Sequence, residues 1–334
     1  MAQLPILIVL AGGASSRMWP LREKSLLRFG TEPLLVSQLR RYEALGLQEA
    51  VIVANPGNLE DIKSLTAAIR SMNIRVVVQT EAKGMGDALL QAAPALPNQP
   101  ETPIYVVQVH DVVDDQLHAD MLKAFTADPT STYIAGYERE EYFPGGYLIV
   151  SPTGRITGIV EKPGAENRPS NLVNIVAHIH PDATRLMTAL QEEYAKPIAS
   201  DDHYERAMDR LMATNVYKVV PYRGPWSALK FPWHTLDVMN YYLSKISGKI
   251  VAESAFVAPT ATLIGDVFIG ERAKVFPGAA IVGPAYIGSD TIIGNNALVR
   301  NSMVLNHCNV GYTTEVARSY VADHCDMHAC RVLD

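Results

Sequence analysis

Two basic side chains follow a turn of small residues near the start of the 334-residue chain. Ile6 to Leu10 is an unbroken apolar run, and Ala11, Gly12, Gly13, Ala14, Ser15 and Ser16 come directly after it. A backbone free of bulky side chains can turn tightly and aim its N–H groups at an anion. Arg17 then offers a rigid fork of donors suited to phosphate oxygens, and Lys24 a mobile point charge. No Gly-Lys-Ser/Thr closes the turn, so it is not a P-loop, and no third glycine completes a dinucleotide fingerprint. On local physics alone, a tight strand-to-helix turn with a surface arginine is the alternative.

A second group lies at Gln79, Gly84, Met85 and Gly86. The glycines form a loop that opens a helix, and a helix N-terminus favours anions. Gln79 carries one amide donor group and one acceptor, a pair able to read the imide edge of uracil or thymine. The bland alternative is an exposed glutamine before an ordinary helix start.

These residues need elements to hold them. Ile6–Leu10 reads as a strand buried on both faces, and a turn after such a strand lies at the carboxyl edge of an open α/β sheet. Helical spacing over 34–46, strands at 50–54, 74–78 and 104–109, and a helix over 59–72 predict a mainly parallel, doubly wound, Rossmann-like sheet with helices on both faces. Strands with longer connections follow from about 132, then helices near 181–195 and 202–213. A helix over 234–246 marks the domain boundary.

From Val251 the pattern changes to Val251, Val257, Leu263, Ile269, Val275, Ile281, Ile287, Ile293, Val299 and Leu305, one aliphatic residue every sixth position. That period predicts a β-helix with three short strands per coil, the aliphatic residue pointing inward. After 305 the register slips by one, with Val304, Val310 and Val316 fitting better. His307-Cys308, His324-Cys325, His328 and Cys330 recur near one coil's length, as a metal site or as ordinary coil-lining residues.

Net charge is −6, which disfavours nucleic acid and anionic membranes as partners. No stretch approaches membrane length, the N-terminus has no basic region before its short apolar run, and the cysteines are few and odd in number. The expectation is a cytoplasmic protein.

The stretch Leu10-Ala11-Gly12-Gly13, Arg17, Pro20-Leu21 and Lys24 resembles the signature of the sugar-1-phosphate nucleotidylyltransferases. Glu23 stands where that family has Pro, and the loop is shorter by about three residues. Gln79 with Gly84-Met85-Gly86 is similar to the family's base- and ribose-contacting motif, Met85 replacing Thr. The resemblance implies that Arg17 and Lys24 hold the triphosphate with the backbone from Leu10 to Gly13. It implies that Asp111 holds Mg²⁺ across the phosphates, a role suited to a hard carboxylate. Gly146, Glu161, Lys162 and Asn174 match the family's sugar and sugar-phosphate contacts. From Trp226 to Asn240 the chain departs from the pattern: Ala228 stands at the second metal carboxylate and Lys230 at a glycine. If this segment is a strand, Lys230 faces the same side as Ala228, either entering the site as a replacement charge or snorkelling to the surface.

The repeats look like the left-handed parallel β-helix of hexapeptide proteins, although Gly311-Tyr312 replaces a Pro-His expected of the acetyltransferases among them. The implied organisation is a catalytic domain over 1–233, a linker helix over 234–249 and a β-helix over 250–334. The implied reaction joins an NTP, UTP or dTTP favoured, to a sugar 1-phosphate. The alternative is a catalytically weak homologue that senses sugar nucleotides or serves assembly. The flat sides of a triangular β-helix suggest a homo-oligomer, a trimer first. If Lys24 stabilises the leaving pyrophosphate, Lys24→Ala lowers turnover at least ~100-fold; wild-type turnover in that variant removes Lys24 from the mechanism.

Overall fold

The computed structural model describes residues 3–196, 202–328 and the backbone of 331–333. The chain forms two compact units, one of Met1–Ser16 with Leu35–Trp226, the other of Arg17–Leu34 with Ser227–Asp334.

The first unit begins as the apolar runs predict: β1 (Ile6–Leu10), α1 (Leu34–Ala44), β2 (Glu49–Ala54), α2 (Leu59–Thr66), β3 (Asn73–Val78), α3 (Met85–Ala92) and β4 (Ile104–Gln108). It continues with β5 (Asp111–Val113), α4 (Asp115–Ala127), β6 (Thr132–Glu138), β7 (Gly146–Val150), β8 (Arg155–Glu161) and β9 (Leu172–His180). The last elements are α5 (Ala183–Tyr194), α6 (His203–Met212) and β10 (Tyr217–Tyr222). Helix α2 stops six residues short of the predicted end, its Thr66 hydroxyl donating to the Ile62 carbonyl at 2.7 Å.

Nine strands form one sheet in the order β3-β2-β1-β4-β9-β6-β10-β8-β7. Its first four strands are parallel, as expected. The remainder corrects the expectation of a mainly parallel sheet. β9 enters antiparallel between β4 and β6, and β7 and β8 form an antiparallel pair. Alternation and burial specify which faces are covered, not which way a strand runs. Both faces are covered. Ile6, Ile8 and Leu10 pack with Leu89, Leu190 and Met208 from α3, α5 and α6, while Tyr105 of β4 meets Tyr42 of α1 and His118 of α4.

In the second unit, α7 (His234–Leu243) is followed by short strands that repeat in threes. They build three five-stranded parallel sheets. Lys249–Val251 pairs with Val267–Ile269, and that strand with Ala285–Ile287, each eighteen residues on. Ile269, Val275, Ile281, Ile287, Ile293 and Val299 are fully buried in the interior. Val251 is 41% exposed, because no earlier coil lies beneath the first one. The slip in register brings in Val304, Val310 and Val316, as their better fit predicts, and it falls before Leu305 and not after it. Ile287 pairs with Val304, not Leu305. Asn301, in the left-handed region at φ 49°, turns a corner that takes Gly283 and Pro284 in the coil before. No helix among the described residues is long and apolar enough to cross a membrane.

Residues 17–34 pack within this second unit. Phe29 is buried between Tyr242 and Tyr320, ring centroids 5.7 and 5.4 Å away. The Tyr320 hydroxyl donates to the Arg28 carbonyl at 2.8 Å, and Arg28 pairs with Asp323 at 3.5 Å. Phe29→Ala removes a ring that two tyrosines enclose, so it should cost about 3–5 kcal/mol. Denaturant unfolding measures this; a loss under about 1 kcal/mol would show that the ring is not packed as described.

Candidate active site

The carboxyl ends of β1, β2 and β3 bring the small-residue turn and Gln79 together. The Ala11 amide donates to the Val53 carbonyl at 2.9 Å, and its carbonyl accepts from Asn58 Nδ2 at 3.0 Å. Asn58 is fully buried and also accepts from the Asn55 amide at 2.9 Å through Oδ1. It therefore ties the turn after β1 to the turn after β2, a role that reading each motif separately does not reveal. A Cβ on Gly12 would stand 3.1 Å from the Ala54 carbonyl oxygen and 3.3 Å from Gln79 Oε1. Only a bare backbone fits that gap without displacement.

Gln79 corrects the expectation of a free donor and acceptor. It is 6% exposed, and its Nε2 donates to the Gly84 carbonyl at 3.0 Å and to Asp87 Oδ2 at 2.7 Å. A carbonyl and a carboxylate can only accept, so the amide orientation is defined and both donors are used. Oε1 remains, on the Gly12 side. The loop is held further by Tyr194 of α5, which accepts from the Asp87 amide at 2.8 Å and donates to the Lys83 carbonyl at 2.7 Å. A Cβ on Gly86 would lie 2.9 Å from Leu190 and 3.0 Å from the Tyr194 ring. Met85 opens α3, and its sulfur accepts from Gln108 Nε2 at 2.7 Å. Asp87 and Tyr194 escape a sequence reading because their partners lie 8 and 107 residues away, respectively.

Asp111 starts β5, just beyond β4, and is 8% exposed. Trp226 Nε1 donates to its Oδ1 at 3.2 Å, and Gln38 donates to its carbonyl at 3.3 Å. Among the described residues no group of three or more His, Cys, Asp and Glu side chains could hold a metal. A lone carboxylate still suits Mg²⁺ where phosphates and water supply the remaining ligands.

Gly146, Glu161 and Asn174 converge. Gly146 and Glu161 are direct cross-strand partners. A Cβ on Gly146 would sit 2.6 Å from Glu161 Oε1 and 3.5 Å from the Asn174 Cβ, so the glycine makes room for both. Lys162 follows in the left-handed region at φ 44° and is exposed. Behind Asn174, its Oδ1 lies 2.8 Å from His178 Nε2; His178 Nδ1 is 2.8 Å from the Tyr204 hydroxyl, and His180 Nε2 is 2.9 Å from that same hydroxyl. Burial pushes both imidazoles down to about 3. His118 is likewise pushed to about 3, by burial and then by Arg41, with the Tyr105 hydroxyl 2.6 Å from its Nδ1.

The second unit carries the cations. Arg17 is exposed, its guanidinium 5.5 Å from the Phe231 ring centre, and Phe231 stacks on Trp233 at 4.6 Å. Lys24 begins a short 3-10 turn after Glu23, which has φ 43°. The strand Trp226–Ala228 ends before Lys230, so strand alternation does not extend to that lysine. The Lys230 amide instead donates to His234 Nδ1 at 3.1 Å. The Cys308 thiol is buried in the coil, donates to the Ala322 carbonyl at 3.0 Å, and is pushed up to about 11 by burial. His307 and His324 stack with centroids 4.8 Å apart. Cys330 lies outside the described residues.

An open α/β sheet with a glycine turn, an amide and a carboxylate at its carboxyl edge is the architecture of a nucleotide-binding domain. The nucleotidyl transferase family model matches residues 6–220, and the bacterial transferase hexapeptide model matches 266–301. The chain belongs to the nucleotidyl transferase family and carries hexapeptide repeats. It is similar to Bifunctional protein GlmU of Methanococcus maripaludis, 24% identical over 96% of this chain and 78% of that one. It is also similar to the bifunctional sugar-1-phosphate nucleotidylyltransferase/acetyltransferase of Sulfurisphaera tokodaii, 25% identical over 77% of this chain and 64% of that one. In fold it resembles a UDP-glucose pyrophosphorylase crystallised with UDP-glucose, at TM-score 0.62 and 21% identity, over 73% of this chain and all of that one.

The buried histidines impose a pH dependence on stability. Unfolded, each takes a proton near pH 6.5; folded, His118, His178 and His180 do so only near 3. Between those values the unfolded chain binds more protons, so stability is highest above pH 6.5 and falls on acidification. One histidine gives a slope of about 1.4 kcal/mol per pH unit, and three give roughly 4. Unfolding midpoints should drop steeply from pH 7 to 5, and His118→Phe should flatten that slope. A flat profile would contradict neutral burial of these rings.

Proposed function

We propose that the protein transfers a nucleotidyl group from an NTP to a sugar 1-phosphate, releasing pyrophosphate. The observation that carries this reading is the meeting of the Gly12 turn, Gln79 and its locked amide at one sheet edge. A sugar-phosphate oxygen attacks the α-phosphorus in line, and the bond from that phosphorus to the bridging oxygen breaks. Pyrophosphate leaves with the electron pair. The attacking oxygen is already anionic, so no general base is needed, and catalysis is positioning and charge neutralisation.

In this reading the backbone from Leu10 to Gly13, with Arg17 and Lys24, binds the triphosphate. Asp111 would hold Mg²⁺, which when bound neutralises developing phosphate charge. Gly84 and Met85 line the nucleoside, and Gly146, Glu161, Lys162 and Asn174 take the sugar phosphate. Gln79 Oε1 can accept the imide N–H of uracil or thymine, in keeping with UTP or dTTP as the nucleotide. The functional division would be a catalytic domain over 1–233, a linker helix over 234–249 and a left-handed β-helix over 250–334, assembled as a homo-oligomer, a trimer first. Ala228 favours a second reading, a catalytically weak sensing or assembly subunit, because the second metal carboxylate is missing.

Pyrophosphate release with four NTPs against several sugar 1-phosphates tests the first reading. Activity with UTP or dTTP is expected, and an inert protein across the whole panel hands the argument to the second. If Lys230 replaces part of the metal's charge, Lys230→Ala should cut turnover sharply and Ala228→Asp should restore part of it at high Mg²⁺. An unchanged Lys230→Ala rate removes Lys230 from the site.

A further inference from the structure

We propose that His234, neutral and with its proton on Nε2, is a positioning residue that pins Phe231 against Arg17 and so aims the guanidinium for the triphosphate. This deepens the reading above and rests on it. Arg17, Lys230, Phe231, Trp233 and His234 all belong to the second unit, and His234 is the first residue of α7.

The tautomer follows from the groups that His234 faces. Its Nδ1 lies 3.1 Å from the Lys230 amide nitrogen and 3.3 Å from the Phe231 amide nitrogen. A backbone amide only donates, so Nδ1 is bare and the ring's single proton sits on Nε2. Turning the ring over does not balance equally, because it sets the Cδ2 carbon, which has no lone pair, against both amides. Protonating both nitrogens sets one N–H against two others.

Phe231 is held at both of its backbone groups. Its amide donates to the His234 ring, and its carbonyl accepts from the His234 amide at 3.0 Å. The His234 ring also stands at 78° to the Phe231 and Trp233 rings, with centroids 5.6 and 5.9 Å away, and those two rings are parallel within 4°. The Arg17 guanidinium lies 5.5 Å from the Phe231 ring centre, and among the described residues it pairs with no carboxylate. The ring is therefore the contact that places this charge, and a shift of the ring shifts the charge with it. His234 acts through Phe231, and Phe231 through its face.

The experiment uses the full chain with Mg²⁺ and each of four NTPs, binding being read by calorimetry. His234→Phe keeps a ring but removes the acceptor. It should weaken the tightest-binding NTP about two- to fivefold, the scale of one exposed cation–π contact. His234→Asn keeps an acceptor next to Cγ, where Nδ1 stands, and should weaken it less. In an Arg17→Ala protein, itself weakened more than about tenfold, His234→Phe should change nothing further, a result that a general loss of structure would not give. Thermal transitions check folding, and if His234→Phe does not fold, Phe231→Leu takes its place in the same comparison. ¹⁵N-imidazole spectra of the ligand-free wild type should show His234 protonated at Nε2 and bare at Nδ1. A proton on Nδ1 overturns the proposal, as does an undiminished effect in the Arg17→Ala protein. Pyrophosphate release, measured alongside, separates the two claims. A wild type that binds an NTP but releases no pyrophosphate with any sugar 1-phosphate defeats the nucleotidyl-transfer reading, and the binding comparison then decides the role of His234 by itself. A wild type that binds none of the four NTPs defeats both.

Discussion

The turn after β1 runs closer to its neighbours than a side chain fits without displacing them, and the arrangement at the sheet edge depends on that closeness. At Gly12 a Cβ would be 3.1 Å from the Ala54 carbonyl oxygen. The constraint is carried by backbone pairing on one side and by Asn58 on the other, whose amide closes on the Ala11 carbonyl in a dry environment. Buried hydrogen bonds of this kind contribute little net stability, about 1 kcal/mol each, but leaving the carbonyl unpaired would cost more. These two ties hold the turn beside Gln79.

The same economy recurs around the glycine loop and β9. Asp87 and the Gly84 carbonyl absorb both Gln79 donors, and Tyr194 bridges two backbone groups of the loop. His178 and Tyr204 do the equivalent work behind Asn174. In each case a residue expected to touch ligand has some of its hydrogen-bonding capacity assigned in advance. What is left over defines what it can recognise, at Gln79 an acceptor. Preorganisation of this sort lowers the cost of fixing side chains when a ligand arrives.

Much of this was legible in the sequence, and the exceptions share a cause. The parallel strands β1 to β4, the turn at Gly12 and the three-strand coils are local patterns, visible as apolar runs, small residues and a hexad period. The direction of β9 and its place between β4 and β6 depend on long-range pairing, which a pattern of burial does not encode. Tyr194 lies more than a hundred residues from the loop it holds. The slip is legible through Val304, Val310 and Val316, but its corner at Asn301 is not, because Val304 and Leu305 are both buried and both satisfy an inward-facing residue. At Lys230 only the strand premise fails: the strand ends at Ala228, and a period of two says nothing beyond it.

The stacking of Arg17 on Phe231 bears on how a cation can be both placed and available. At an exposed site such a contact is worth about 0.5–1 kcal/mol. A charge-assisted pair with phosphate is stronger, roughly twice a neutral hydrogen bond for each contact, and a guanidinium can make two at once. The ring can therefore orient the guanidinium without competing seriously for it. Phe231 is itself stacked on Trp233, which is 62% exposed. A lysine would gain less from the same surface, because its compact ammonium is more strongly hydrated and lacks a flat face. Arg at position 17 thus suits the aromatic ring beside it, where Lys at 24 presents a compact charge instead.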